Sequence, residues 1–450
     1  MKDFTLAEIA KACNGEYVGD ESLKNTKITS VERDSRQVKN GSLFLAIKGE
    51  RVDGHDFIEK CFAQGAVCAL CEKAPENATK PCIVVPSTLD AVKKIGRAYR
   101  EKFDIPVIGI SGSVGKTSTK EMLYAVLSQK FKTHKTQGNL NNELGVPLTL
   151  LSMPEDTEAA VIEMGISDFG EMTRLSEMVQ PTICVLTIIG ECHLENLGDR
   201  DGVLKAKTEM FKNAREKADF ILNGDDDKLS TVKTVNGKKP VFFGLDAKND
   251  FYAKNIKNSG DGKVLATLCF DNNNIDVEIP AIGTYMVTNA LAAAAAGKLL
   301  GLTDEEIANG VASYKTVGSR ANVINTGKIK IIDDCYNANP TSVRASLDTL
   351  SNLDGRKVAI LGDMKELGSE ELKLHFDTGV YAKSKDIGTV ITVGELAKEL
   401  AKGADGKAFD TIEDAKSEIL KTIKSGDVVL VKASHSMQFE NIVEFLKQNF

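Results

Sequence analysis

Several things this sequence lacks narrow its function before any motif is read. It has no excess of positive charge: 57 Lys and Arg stand against 64 Asp and Glu, a net charge of −7. Polyanions do not attract an acidic chain, so general nucleic-acid or membrane-surface binding is not expected, although a local anion site remains possible. It has no long apolar run. The alanine-rich stretch near 290–300 is interrupted by Asn289 and Lys298 and is too short to span a bilayer. The start, Met1-Lys-Asp-Phe-Thr-Leu-Ala-Glu8, does not read as a signal peptide. It has no disulfide framework either. Its nine cysteines are scattered and odd in number, the pattern of free thiols in the cytoplasm. Cys68 and Cys71 form one CxxC inside the apolar run Ala66-Val-Cys-Ala-Leu-Cys71, and no second pair completes a zinc site. Buried strand positions are expected for both. Long low-complexity stretches and repeats are absent as well.

What is present is ordinary globular material, 42% hydrophobic and 27% charged over 450 residues, a length that suggests about three domains. The organising stretch is Ile108-Gly-Ile-Ser-Gly-Ser-Val-Gly-Lys-Thr-Ser118. Val107, Ile108 and Ile110 read as a buried strand, and Met122, Leu123, Val126 and Leu127 recur at helical spacing after the turn. Strand, Gly-rich turn, Lys-Thr and helix make a phosphate cradle. Free backbone N–H groups and the helix N-terminus face the anion, Lys116 reaches the outer phosphates, and the Thr117 hydroxyl can hold Mg²⁺. The longer G-x-x-x-x-G-K-[ST] pattern needs glycine where Ile110 stands, so the motif here is the shorter G-x-x-G-K-T.

Other candidate groups sit at strand ends. Ala159-Ala-Val-Ile-Glu163 is a buried strand ending in a carboxylate, the place for an acid that binds Mg²⁺ in a P-loop fold. Thr182 to Ile189 is another strand, and His193, one of five histidines, follows its end. Ligands gather at such carboxyl ends. Asp201 to Phe211 reads as a helix whose lysines would ordinarily form a solvated face. Residues 227–280 read as a β-rich edge of the central domain. Asp334 ends a strand, and Asp34-Ser-Arg36 and Thr136-Gln-Gly-Asn-Leu-Asn-Asn142 are polar turns. The expected architecture is α/β in three domains. These are a small N-terminal α/β substrate domain (1–104), a central P-loop parallel-sheet ATPase domain (105–317) and a C-terminal Rossmann-like domain (318–450) of parallel βαβ units.

Several of these stretches together resemble the peptidoglycan Mur ligases. They are Gly112-Ser-Val-Gly-Lys-Thr-Ser118, Gln137-Gly-Asn-Leu-Asn-Asn142, Glu163-Met-Gly165, His193-Leu-Glu195, Ala206-Lys207, Asn289-Ala-Leu291, Asp334-Cys-Tyr-Asn-Ala-Asn-Pro340 and Gly362-Asp-Met-Lys-Glu-Leu-Gly368. The resemblance runs from Asp34-Ser-Arg36 to Lys432-Ala-Ser-His-Ser-Met437, nearly the whole chain. The family's own cradle is the short form, which accounts for Ile110.

The resemblance implies a cytoplasmic, monomeric, ATP-dependent ligase that joins D-Ala-D-Ala to a UDP-N-acetylmuramoyl-tripeptide through an acyl phosphate. It implies ATP contacts from Gly112, Ser113, Val114, Gly115, Lys116, Thr117, Ser118, Asn289, Arg320, Asp334, Tyr336 and Asn337. It implies substrate contacts from Asp34, Ser35, Arg36, Asn139 and Asn141. One Mg²⁺ would sit on Thr117 and Glu163, and a second would be served by His193 and Lys207. The catalytic set is then Lys116, His193 and Lys207. A protonated lysine would be repelled by Mg²⁺, and the resemblance implies that Lys207 is carbamylated. Lys205 is the competing position. Two residues depart from the family pattern: Tyr285 stands where a His is usual, and His435 where an Arg is usual. The alternatives are a sister ligase that adds another amino acid, or glutamate to folate, and a P-loop nucleotide switch without catalysis.

Overall fold

The computed structural model describes every residue except Glu50, Gly260 and Asp261. Its apolar runs become strands and its amphipathic stretches helices. Thr5 opens the first helix, Leu6–Cys13, with a reciprocal cap in which its hydroxyl takes the Glu8 amide and its own amide donates to the Glu8 carboxylate. The N-terminal sheet runs, in spatial order, Glu16–Val18, Cys82–Val84, Cys68–Cys71, Ser42–Leu45 and Ser30–Glu32, with only Glu16–Val18 antiparallel. Cys68 and Cys71 are buried, free strand residues, as expected.

The central sheet has six parallel strands in the order Val241–Phe243, Asp219–Asn223, Ile183–Leu186, Val107–Ser111, Ala159–Glu163 and Thr133–Lys135. Chain order reverses around Val107–Ser111, so the loops after this strand and its neighbours splay apart and leave a crevice at the carboxyl ends. Helix Lys116–Leu127 leaves from that crevice. Against it lies helix Tyr285–Leu299, whose run Ala292 to Ala296 is fully buried. A helix apolar all round belongs inside a protein, and its small side chains let neighbours approach closely.

Residues 227–280 divide between two sheets: Val241–Phe243 is an edge strand of the parallel sheet, and the later strands stand apart from it. Tyr252–Ser259, Lys263–Phe270 and Asn273–Ile279 pair only with one another, as an antiparallel meander. Their alternating pattern presents one apolar face, and that face joins the core shared by the phosphate-loop helix and the alanine helix.

The C-terminal sheet runs Asn322–Asn325, Lys330–Asp333, Val428–Lys432, Lys357–Gly362, Thr389–Val393 and Lys407–Phe409. All pairs are parallel except the first, which is antiparallel and so departs from the simple βαβ expectation. Two apolar clusters cover its faces. By contrast, one apolar cluster runs without a break from the N-terminal unit into the central one.

Candidate active site

The phosphate cradle follows from backbone that only glycine tolerates. Gly112 has φ +150°, and a Cβ there would stand 1.9 Å from the Thr187 hydroxyl; Gly115 has φ +86°. Thr187 Oγ1 donates to the Val114 carbonyl at 2.6 Å. Ser113 closes the far side by donating its amide to the Ile188 carbonyl at 2.7 Å and accepting the Gly190 amide at 2.9 Å. Ile110 is buried within the preceding strand, so the cradle begins at Gly112. Lys116 opens the helix and donates its ammonium to the Gly112 carbonyl at 2.8 Å.

Glu163 arrives from the neighbouring strand and is buried. Its two oxygens accept the Thr117 hydroxyl at 3.0 and 3.1 Å and the Asn141 amide at 2.8 Å. Lys120, one helical turn beyond Lys116, approaches Glu163 to 3.5 Å and Glu121 to 3.2 Å, and Lys135 pairs with Glu121. The carboxylate therefore sits in a buried row of alternating charge. Sequence reading missed Lys120, because a lysine inside a helix carries no signal of burial.

The helix after residue 200 corrects one expectation. Its lysines do not share a solvated face: Lys205 is exposed with its ammonium over the Phe169 ring, whereas Lys207 is buried. Burial pushes the Lys207 ammonium down to about 8, and nearby Lys116 adds to that push. No acidic side chain among the described residues pairs with it. His193 stands at the end of the next strand's loop with Nδ1 2.5 Å from Glu366 Oε2 of the C-terminal unit.

A cavity of about 460 Å³ joins these groups to the C-terminal unit. Its wall carries the cradle residues 113–118, Asn141, Glu163 and His193 on one side and Arg320, Asp334, Tyr336 and Asn337 on the other. The Arg320 guanidinium lies 3.6 Å from the centre of the Tyr336 ring, and His435 stacks on that ring at 5.6 Å. His435 is exposed and reaches the cavity only through Tyr336. Asp334 accepts the Ser346 hydroxyl and the Lys432 ammonium at 2.6 Å each. Lys432 and Ser346 line the cavity too; Ser346 carried no motif signal, and Lys432 opened the last resembling stretch without a role assigned to it. Asn289 lines it beside the cradle, with its Oδ1 accepting the Thr119 hydroxyl at 3.0 Å. Tyr285 also faces it, its hydroxyl pushed up by burial and by Asp334.

Other expected residues stand apart. Asp34, Ser35 and Arg36 occupy a loop of the N-terminal unit away from this cavity, where the Arg36 side chain clasps Asp34 and holds its carboxyl down at about 2. Asn139 is exposed and Lys207 buried, and neither lines the cavity.

A P-loop with an acid at the adjoining strand end, roofed by a second α/β unit, defines an enzyme that handles a nucleoside triphosphate between two domains. The chain belongs to the Mur ligase family. Family models match residues 27–101 (Mur ligase family, catalytic domain), 110–297 (Mur ligase middle domain) and 319–435 (Mur ligase, glutamate ligase domain). It is 36% identical to the UDP-N-acetylmuramoyl-tripeptide–D-alanyl-D-alanine ligase of Bacillus subtilis (strain 168), with 98% of each chain covered. It is 34% identical to the ligase of the same name from Escherichia coli (strain K12), with 100% of this chain and 99% of the relative covered. A crystal structure of MurF from Acinetobacter baumannii superposes with a TM-score of 0.92 at 32% identity, covering 100% and 99% of the two chains. MurF ligase from Thermotoga maritima in complex with ADP gives 0.84 at 30%, covering 93% and 97%. The three-unit α/β architecture expected from the sequence is the one found.

Proposed function

We propose that this protein is the ATP-dependent ligase that joins D-Ala-D-Ala to UDP-N-acetylmuramoyl-tripeptide in peptidoglycan precursor synthesis. The observation that carries this reading is one cavity shared by Lys116, Thr117 and Glu163 on one side and Arg320, Asp334 and Tyr336 on the other. Residues 1–104 would hold the UDP-sugar through Asp34, Ser35 and Arg36, residues 105–317 the ATP phosphates, and residues 318–450 the nucleotide's far side and the incoming dipeptide. The reaction belongs in the cytoplasm, where nine buried free thiols stay reduced. A monomer suffices, since one chain supplies the whole cavity.

A carboxylate and ATP repel each other, so attack on the γ-phosphate needs positive charge. Lys116 supplies it at the outer phosphates, and the cradle amides orient them. The tripeptide carboxylate takes the γ-phosphoryl group and ADP leaves. The dipeptide amine then adds to the acyl carbon, and phosphate departs as the amide forms. Asn139 and Asn141 serve the acceptor side, and Asn289 and the Arg320–Tyr336 stack the nucleotide base.

The residues present fit Mg²⁺. Thr117 and Glu163 already touch, and no set of three or more His, Cys, Asp or Glu among the described residues encloses a metal. That suits an ion that keeps waters and substrate phosphates among its ligands. Thr117 and Glu163 would hold one ion, and His193 with carbamylated Lys207 would serve a second; bound there, Mg²⁺ neutralises phosphate charge. With an ammonium held near 8, Lys207 has a neutral amine fraction at physiological pH. That amine adds CO₂ to give a carbamate and a proton, turning a buried cation into an anion.

The test is ligation of D-Ala-D-Ala to UDP-tripeptides ending in Lys or meso-diaminopimelate, with ADP release as readout. Lys116→Ala should lose at least about 10³-fold in kcat. Lys207→Ala should be equally inactive and recover partly with added short carboxylic acids. Product formed at the normal rate by both variants would overturn the reading.

A further inference from the structure

Loop 190–195 of the central unit and loop 362–368 of the C-terminal unit meet at the edge of the cavity. Thr341, at the start of helix Pro340–Ser351, donates its hydroxyl to Glu191 at 2.5 Å. A Cβ on Gly368 would stand 3.2 Å from the Glu195 Cα. Between these two contacts His193 Nδ1 lies 2.5 Å from Glu366 Oε2. That nitrogen is buried, and among the described residues no other group hydrogen-bonds to it. His193 has φ 52° and Glu366 φ 64°. Residues other than glycine seldom adopt this left-handed backbone, and they hold it where the surroundings impose it.

The loop that carries Glu366 is fixed to its own unit. The Met364 amide donates to the buried His375 Nε2 at 2.9 Å, the Lys365 amide to the Ser434 hydroxyl at 2.9 Å, and the Ala397 amide to the Asp363 carboxylate at 2.8 Å. Glu366 therefore travels with the C-terminal unit. His193, by contrast, belongs to the central unit and lines the cavity.

We propose that Glu366 is a positioning residue for His193: by holding the ring through Nδ1 it presents Nε2 to the cavity, and it does so only while the C-terminal unit is docked. A carboxylate on one ring nitrogen fixes the tautomer and leaves the other nitrogen's lone pair free to bind a cation. The proposal rests on the reading above that His193 serves a cation. It makes docking of the C-terminal unit and completion of that site a single event.

The experiment is an electron paramagnetic resonance titration of Mn²⁺ on the full-length protein saturated with β,γ-imido-ATP. His193→Ala and Glu366→Ala should each weaken the cation about tenfold. The double variant should be no weaker than His193→Ala alone, because Glu366 acts through His193. Glu366→Gln, which keeps the shape and removes the charge, should fall between Glu366→Ala and wild type. The Glu366 side chain is 59% exposed, so its two single substitutions should leave the melting temperature unmoved. In ligation assays Glu366→Ala should lower kcat and leave KM for ATP within about twofold. Wild-type Mn²⁺ affinity in Glu366→Ala beside a weakened His193→Ala would overturn the proposal and leave the function standing. Additive losses in the double variant would overturn it as well. Wild-type affinity in His193→Ala would remove His193 from the cation site and the proposal with it.

Discussion

The molecule has two seams, and they are built from opposite materials. Between the N-terminal and central units, helix Thr88–Glu101 is pressed into a dry joint. Tyr99 packs between Phe4 and Phe103, with ring centres 5.6 and 5.2 Å apart, and its hydroxyl donates to the Met153 carbonyl at 2.9 Å. Gly96 admits Pro147, whose Cβ would stand 2.7 Å from any side chain placed there. Arg100 is fully buried and donates to the carbonyls of Val179, Phe103 and Gln180 at 2.9, 2.7 and 3.4 Å. Between the central and C-terminal units, by contrast, lies an open cavity whose wall carries the charged side chains of Lys116, Glu163, Arg320 and Asp334, edged by the Glu191–Thr341 and His193–Glu366 contacts. Water can replace polar contacts at little net cost, but it cannot replace buried apolar area. The first seam is thus a fixed joint and the second one can open, which suits a reaction that must admit ATP and then exclude water.

The sharpest test of the fixed joint is Arg100→Met. It leaves the buried carbonyls of Val179 and Phe103, and the half-buried one of Gln180, without this donor and should cost about 3 kcal/mol. The urea midpoint should fall while kcat of the folded fraction holds. An unchanged midpoint would show the first seam to be no firmer than the second.

Lys207, buried within the central unit that the two seams share, is tested through pH. Its folded value, about 8, lies below the ordinary lysine value of 10.5. Below pH 8 the folded and unfolded chains are both protonated, and the cost of burying the charge is felt in full. Between about 8 and 10.5 the unfolded chain binds more protons, so stability rises with pH across that window. In CO₂-free buffer the unfolding free energy should rise on the order of 3 kcal/mol from pH 7.5 to 10.5. Lys207→Met should flatten this contribution and be the more stable protein at pH 7.5. Bicarbonate should reduce the slope in wild type alone. A wild-type slope equal to that of Lys207→Met would refute the burial argument.

Arg320→Ala should weaken ATP binding about fivefold, near 1 kcal/mol for a lost ring–cation contact, with no change in melting temperature. Calorimetric titration decides this, and a change in melting temperature with affinity intact would make the stack a structural brace. The smallest effect belongs to Lys93→Ala at the rim of the first seam. Its half-exposed pairs with Asp90 and Glu143, at 3.3 and 3.7 Å, should be worth less than about 0.5 kcal/mol. A larger loss would mean that charge, and not packing, holds that joint.

Local chemistry determined much of this protein in advance. Glycines at 112 and 115 with Lys116 and Thr117 specify a cradle wherever a strand precedes them and a helix follows, because backbone sterics and free amides act within a few residues. Period and turn residues likewise marked the long strands and helices and the three-unit α/β plan. Short edge strands such as Glu16–Val18, Ser30–Glu32, Thr133–Lys135, Asn322–Asn325 and Lys407–Phe409 were not legible, since a three- or four-residue edge gains its identity from the neighbour it pairs with. The β-rich character of residues 227–280 was legible, but not that three of their strands form a sheet of their own: alternation reveals a half-buried strand but not which sheet it joins. Burial of Lys207 and Lys120, exposure of Lys205, and the meeting of His193 with Glu366, 173 residues on, were decided only by tertiary structure. Desolvation and pairing depend on what lies around a side chain in space, and one-dimensional spacing carries no measure of that.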